Sequence, residues 1–558
     1  MTCESLNQFP DSVNFRRSAS KVMRLERLGS AHPMRLSFLR ILLRRMEQEN
    51  WQFKRAVFDL DGNGVGHAIY SVTGPERTYS LVCFSHDLPA DKRSDRVIAT
   101  AWDATFTLFD GVPDRHDIER LEKNVPHQEA GRVSSRELTL SRANRSVRLF
   151  NDVVETLSQG NQPDLNALAK TGYLMRTTAV YGSGKFGAAD WRTISDRPEM
   201  MCPFQAEMLS VWLIRSFTID LVNHLAEIKG GNSSVKLGDA ARNLLGVGNS
   251  TGLGMAPYLV KHPVLFNNLV MVREEALARV RSLRTASQNQ IEDFRKALGA
   301  AVENADLWQS QHPVQVLKLA QLRQGLADLT NYVNSEMDWG AAHPWDELWR
   351  WGDVNLAIEA QEALLSLLLE PHGSIIDDLA CCMSDNQTEF NQINGGMLIR
   401  QMNDLIKDSY SWALDYNYKE QDECARFWYV SEDKLEPRLG ERHSEPGHEQ
   451  ELPLDIGRQV SQLAEQLAGW NKETPIAEFL LLHPHYRNIV RRLQKTTNKP
   501  FAEIQDNLIS AELMPIDMLR CKLAFFGANR FDPRSDRWVR ISLFQGLPYP
   551  DELCEVRV

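Results

Sequence analysis

Residues Thr171–Trp191 read TGYLMRTTAVYGSGKFGAADW. An apolar, β-branched run ends there in Tyr181-Gly182-Ser183-Gly184-Lys185-Phe186-Gly187. Glycines let a backbone turn sharply and approach a ligand closely. Backbone N–H groups in such a turn can point at an anion, and Lys185 adds charge. Arg176, Tyr181 and Ser183 add further donors. The stretch is not a nucleotide fingerprint. A P-loop needs Ser or Thr after its lysine, and Phe186 follows Lys185. A Gly-rich connection between helices is the competing reading of the same residues.

Outward from this stretch, helical periodicity dominates. Asn144–Leu157 is amphipathic, and Pro203–Ile228 opens on a proline and closes at Gly230-Gly231, a start and a stop of the favoured kinds. Met255–Leu283, Gln288–Leu307, Pro313–Val333, Trp345–Leu369 and Leu398–Trp412 repeat the pattern. Such a succession predicts a bundle. Toward the N-terminus the period changes. Phe53–Phe58, His67–Val72 and Thr78–Phe84 are β-rich runs separated by Asp61-Gly62-Asn63-Gly64 and Gly74-Pro75-Glu76, which predicts an antiparallel meander. The basic stretch from Arg16 to Arg27 reads as an arm that docks on the body or on a second subunit.

The expected fold is therefore mainly α (α+β), a long-helix bundle core with a small N-terminal antiparallel sheet as its cap. Four segments are expected: an α+β domain over 1–135, a central helical domain over 136–430, an exposed loop or linker over 431–452, and a helical region with a β-like tail over 453–558.

Composition narrows the function classes. The chain has 558 residues, net charge -11 and 25% charged residues. The acidic balance argues against a duplex-binding surface, so no nucleic-acid partner is expected. No apolar run is long enough for a membrane span, and the N-terminus lacks the pattern of a signal peptide. The 8 cysteines are scattered apart from Cys381-Cys382, with no paired C-x-x-C motifs, which points to a reducing, cytoplasmic setting. The histidines have no metal spacing, so no zinc or calcium site and no cofactor is expected.

Two further polar patches accompany Tyr181–Gly187. Lys229–Tyr258 carries Asn232-Ser233-Ser234 and Asn249-Ser250-Thr251 between two strong helices. The second cluster lies just ahead of a helix, whose dipole favours negative charge. Over Gly248–Pro257 this placement resembles the Ser-rich mobile loop of the aspartase/fumarase lyases, which are helical bundles. The resemblance implies a loop serine that removes a proton beside a carboxylate, although the Ser-Ser-x-Met-Pro order of those enzymes is not met. His372–Arg400 places Cys381 and Cys382 at the end of a short apolar helix, followed by Asn386, Gln387 and Glu389. A cysteine beside a polar loop can serve as nucleophile or acid/base; a buried one is inert core.

The three patches are expected to form one site for a small anionic metabolite, with Tyr181, Ser250 and Cys382 moving protons. Arg176, Ser183, Lys185, Asn232, Ser233, Ser234, Asn249, Asn386, Gln387 and Glu389 would bind it. The expected activity is that of a lyase using acid/base elimination or addition, in a homodimer. A non-catalytic helical scaffold is the alternative class. A third reading rests on Asp59-Leu60-Asp61-Gly62, which resembles the D-x-D-G start of haloacid-dehalogenase-like phosphatases; the resemblance implies Asp59 as nucleophile with Asp61 beside it. Here the flanks read as hairpin strands, and Asn63 stands where those enzymes usually carry Thr. As a calcium loop the same stretch fails at its twelfth position, Tyr70.

Overall fold

The structure is a computed structural model. It describes residues 13–89, 101–126, 134–181, 197–200, 202–249, 262–311, 313–383, 392–415, 418, 427–430, 435–438, 448–450, 452–505, 517, 520–532 and 540–554.

The expected meander forms. Strands β1 (Gln52–Leu60), β2 (Gly66–Thr73) and β3 (Thr78–Ser85) pair antiparallel. The first hairpin closes because the Asp61 carboxylate accepts from the backbone N–H of Asn63 (2.8 Å) and Val65 (2.9 Å), and Gly64 adopts φ 75.

The sheet does not stop there. β4 (Ala104–Asp110), β5 (Glu137–Arg145) and β6 (Tyr173–Tyr181) continue it antiparallel, and β7 (Gly246–Asn249) joins β6 in parallel. The C-terminal strands β11 (Arg530–Asp532) and β12 (Arg540–Leu543) close the order β1-β2-β3-β4-β5-β6-β7-β12-β11. The expectation of a small N-terminal cap is thus corrected. The molecule is mixed α and β, with a large sheet whose strands come from both ends of the chain and from either side of residue 135. Strands β8 (Phe427–Val430), β9 (Leu435–Arg438) and β10 (His448–Gln450) form a separate small sheet.

Over β2–β5 both faces of the large sheet are covered, and the side chains alternate between two cores. Ala68, Tyr70, Leu81, Cys83, Phe106 and Leu108 face the main core, whereas Ile69, Val82, Phe84, Phe109 and Leu140 face a smaller one. The smaller core is roofed by Leu121 of helix α1 (Arg115–Asn124), whose N-cap Asp114 forms a capping box with Asp117.

Helix α2 (Gln205–Gly230) makes the crossover from β6 to β7 and lies against the main-core face. It is buried on almost every side over its first five turns, as expected of a helix that is apolar all round. Helix α3 (Pro263–Ser282), with proline at its first turn, is buried likewise. Against it pack α4 (Pro344–Asn355) and α5 (Ile358–Leu369). Four further helices, α6 (Ile399–Leu414), α7 (Leu452–Leu467), α8 (Ile476–Leu482) and α9 (Arg487–Thr496), enclose their own core of Ile406, Tyr410, Val460, Leu463, Phe479 and Val490.

The basic N-terminal stretch docks on the body. Arg17 reaches Glu274 (2.8 Å) and Glu362 (2.7 Å), and Arg27 reaches Glu362 (3.1 Å). The arm then runs beside the C-terminal segment, with Ser30 N–H donating to the Arg520 carbonyl (3.3 Å) and Met34 N–H to that of Ala524 (3.1 Å). None of the described helices is long and apolar enough to cross a membrane.

Candidate functional site at the carboxyl ends of β6 and β7

Parallel strands joined by a helix place their carboxyl ends at one edge of the sheet, where the chain is free to diverge and ligands bind in open α/β folds. Here the parallel pair is β6 and β7, and Thr177 lies opposite Asn249. The Gly-rich segment follows β6, and the Asn249-Ser250-Thr251 segment begins on the last residue of β7. The topology thus brings the stems of two of the three expected patches together.

The side chains at this edge form a directed chain of hydrogen bonds. The Thr177 hydroxyl donates to the Gly248 carbonyl (3.2 Å) and accepts from the Asn249 amide (3.1 Å). The amide oxygen of Asn249 accepts from the Lys522 ammonium (3.3 Å). Thr177, Asn249 and Arg176 are all buried. Gly248 is required by packing, since a Cβ there would stand 2.6 Å from the Tyr173 ring.

Lys522 stands out. It is 6% exposed and opens a π-helical turn, Lys522–Phe526. Such turns are rare and recur at functional sites. Its ammonium lies 5.2 Å from the Phe526 ring centroid, and no described carboxylate forms an ion pair with it. Burial without a counter-charge pushes its pKa down to about 7. The amine can therefore both hold and release a proton near neutrality. Sequence reading missed it, although the signal exists: a lone lysine inside the apolar run Cys521–Phe526.

The remaining expected residues divide as follows. Arg176 and Asn249 belong to this edge. Tyr181 ends β6, its backbone opposite Leu140. Ser183, Lys185, Ser250, Asn386, Gln387 and Glu389 lie outside the described residues. Asn232, Ser233 and Ser234 do not belong here. They form an exposed turn after the C-terminus of α2, where the Ser234 hydroxyl donates to the Gly231 carbonyl (2.8 Å). A 26-residue helix spans about 39 Å, and that length separates them from the end of α2 that follows β6.

Cys382 is buried, with the more accessible Cys381 beside it, the two sulfurs 3.8 Å apart. The turn that carries them adjoins the start of α2, because the Cys202 thiol donates to the Ala380 carbonyl (3.2 Å). Asp61 is engaged as a turn cap, and its two backbone donors hold its carboxyl below the usual range. No group of three or more His, Cys, Asp or Glu among the described residues is placed to hold a metal ion.

Comparison with family models, with curated proteins and with solved structures gave no match. The reading of the site therefore rests on its residues alone.

Proposed function

We propose that this chain is an enzyme acting on a small carboxylate- or phosphate-bearing metabolite at the carboxyl ends of β6 and β7, by acid/base elimination or addition. The observation that carries the reading is Lys522, a buried cation balanced, among the described residues, by an amide and a ring face alone. An anion would supply the missing counter-charge. A buried lysine poised near neutrality is also suited to proton transfer, because catalysis is most effective when the pKa lies near the working pH. In this reading Lys522 moves the proton, Asn249 and Thr177 fix its position, and Arg176 contributes positive potential from the adjacent strand. The expected roles of Tyr181 and Ser250 stay part of the proposal as the residues that end β6 and follow β7.

The test is a thermal-shift screen at pH 7 against carboxylate and phosphate metabolites, with the wild type beside Lys522→Met. A ligand at a hundred times its Kd stabilises the folded state by about 2.7 kcal/mol. At least one anion is expected to raise the wild-type Tm and to leave that of Lys522→Met unchanged. The reading fails if no anion stabilises the wild type, or if the variant responds equally.

A further inference from the structure

The paired cysteines are not used by the mechanism above, and their geometry assigns them a separate role. We propose that Cys381 and Cys382 are a hydroperoxide-oxidised dithiol, in which Cys381 attacks and Cys382 resolves.

Both residues sit on one short turn, Asp377–Met383. Cys381 is partly open to solvent, and Cys382 is covered. Their sulfurs are already 3.8 Å apart. A third thiol, Cys202, fastens the turn from below by donating to the Ala380 carbonyl.

Among the described residues the charge that acts on Cys381 is the Asp378 carboxylate, which favours the protonated thiol. Arg279 donates to the Ile375 carbonyl (2.7 Å) and to the Asp378 carboxylate (3.0 Å), so the acid that opposes a Cys381 thiolate carries its own counter-charge. Arg44 and Arg45 act on Cys202 from the other side. Thiolate character and access decide which cysteines oxidise. The Cys382 thiol donating to Cys381 holds the latter down to about 6, against burial and the Asp378 charge, which favour the protonated form. The Asp378 carbonyl, 3.0 Å from the Cys381 sulfur, opposes it in the same way. Burial drives the other thiols the opposite way, with Cys202, Cys521 and Cys554 each pushed up to about 12.

The chemistry balances in two steps. The Cys381 thiolate attacks one peroxide oxygen, the O–O bond breaks, and hydroxide (or alkoxide) leaves and takes a proton. Cys381 is then a sulfenic acid. The Cys382 sulfur attacks the Cys381 sulfur, the S–O bond breaks, and water leaves with the thiol proton. Two thiols are oxidised to one disulfide while the peroxide is reduced to water and, from an organic peroxide, an alcohol. Adjacent residues have Cα atoms about 3.8 Å apart, short of the usual disulfide range of about 4.4–6.8 Å. The bridge is therefore strained, and strained bridges are the readily reduced ones. Oxidation here is expected to be reversible.

The experiment uses the full chain, fully reduced, at pH 7. Brief iodoacetamide treatment with peptide mass mapping should alkylate Cys381 roughly tenfold or more faster than Cys83, Cys521 and Cys554, which are buried. Equimolar hydrogen peroxide should then give a Cys381–Cys382 peptide lighter by two hydrogens and resistant to alkylation, restored by dithiothreitol. In Cys382→Ser the reaction should halt at a Cys381 sulfenic acid that dimedone traps. The proposal is overturned if Cys381 alkylates no faster than the buried cysteines, or if peroxide yields no bridge between the two. Both decisive readings are made on the wild type and survive a variant that fails to fold.

Discussion

Two regions of this molecule bury positive charge, and they do so in opposite ways. Where the N-terminal arm meets α3, Arg17 is enclosed with Glu274 and Glu362, while Arg273 and Arg27 pair with the same carboxylates. Burial alone would push the Arg17 guanidinium down, and the two glutamates more than reverse it, leaving it above its ordinary value. At the carboxyl ends of β6 and β7, Lys522 is buried with an amide oxygen and a ring face, and burial wins. The difference teaches that burial of charge does not itself mark a site. A cation whose carboxylates fold with it is a fastening. A cation whose counter-charge is absent from the described residues is disposed to receive one from outside.

The comparison breaks most readily at Arg17. Replacing it by alanine leaves Glu274 and Glu362 facing each other with fewer partners in a dry environment. Removing one partner of a buried pair costs about 3–5 kcal/mol. Arg17→Ala should therefore lower the unfolding free energy, read from denaturant titration, by that amount. A loss below about 1 kcal/mol, the range of exposed pairs, would mean that the arm is not a fastening.

Lys522 should move stability the other way. Its folded pKa is about 7 against 10.5 for an ordinary lysine. Between these values the unfolded chain holds a proton that the folded chain has lost, so stability rises with pH across that window. Below pH 7 both states are charged, and the folded state bears the whole cost of a desolvated ammonium. Lys522→Met should be more stable than the wild type by about 1–4 kcal/mol at pH 6, the range found when buried charges give way to apolar groups. That advantage should fade toward pH 10. A variant less stable than the wild type at pH 6 would place a hidden counter-charge beside Lys522 and remove the contrast with Arg17.

These two cations also show what the sequence could and could not convey. Arg17 lies in a run of basic residues, and a docking arm was legible from it. The hairpin at Asp61–Gly64 was legible because turn chemistry is local. The crossover helix was legible because Pro203 and Gly230-Gly231 punctuate it. The rest of the sheet was not, for a physical reason. Strands buried on both faces lose the alternation that marks a half-exposed strand and read as plain apolar runs. The described side chains of β6, Tyr173–Thr177, are all buried, and β12 meets β7 through the pairing of Ile541 with Asn249, almost three hundred residues away. Arg176 and Asn249 were singled out as polar residues beside glycines, and the parallel pairing brings them to one edge. Asn232–Ser234 were joined to them in error, because composition does not register the length of the helix between. Lys522 escaped because one lysine in an apolar run carries no motif.

The smallest effect expected concerns a buried base with no carboxylate partner among the described groups. His372 lies in the helical layer, its ring edge-on to Trp345 at 4.7 Å, and its Nδ1 is 3.3 Å from the Gln290 amide nitrogen, from which it accepts. Its Nε2 is buried with no hydrogen-bond partner among the described residues. Burial, aided by the positive charge of Arg35, pushes its pKa down from 6.5 to about 4. The unfolded chain thus binds a proton between pH 6.5 and 4 that the folded chain refuses, so stability falls as pH drops through that window and levels off below it. His32, likewise pushed down to about 4 by burial, contributes in the same direction. His372→Phe keeps a ring against Trp345 and removes the proton acceptor. It should flatten the acid limb of the stability profile by roughly 1–2 kcal/mol between pH 6.5 and 4.5, since each tenfold loss of proton affinity on folding is worth about 1.4 kcal/mol. At pH 8 it should change stability less, because there the imidazole is neutral in both states. Equilibrium unfolding at a series of pH values reads both quantities. An unchanged acid limb would show that the His372 ring takes up its proton in the folded chain as easily as in the unfolded one. That would put a counter-charge beside the His372 ring, where the described residues place only the positive charge of Arg35.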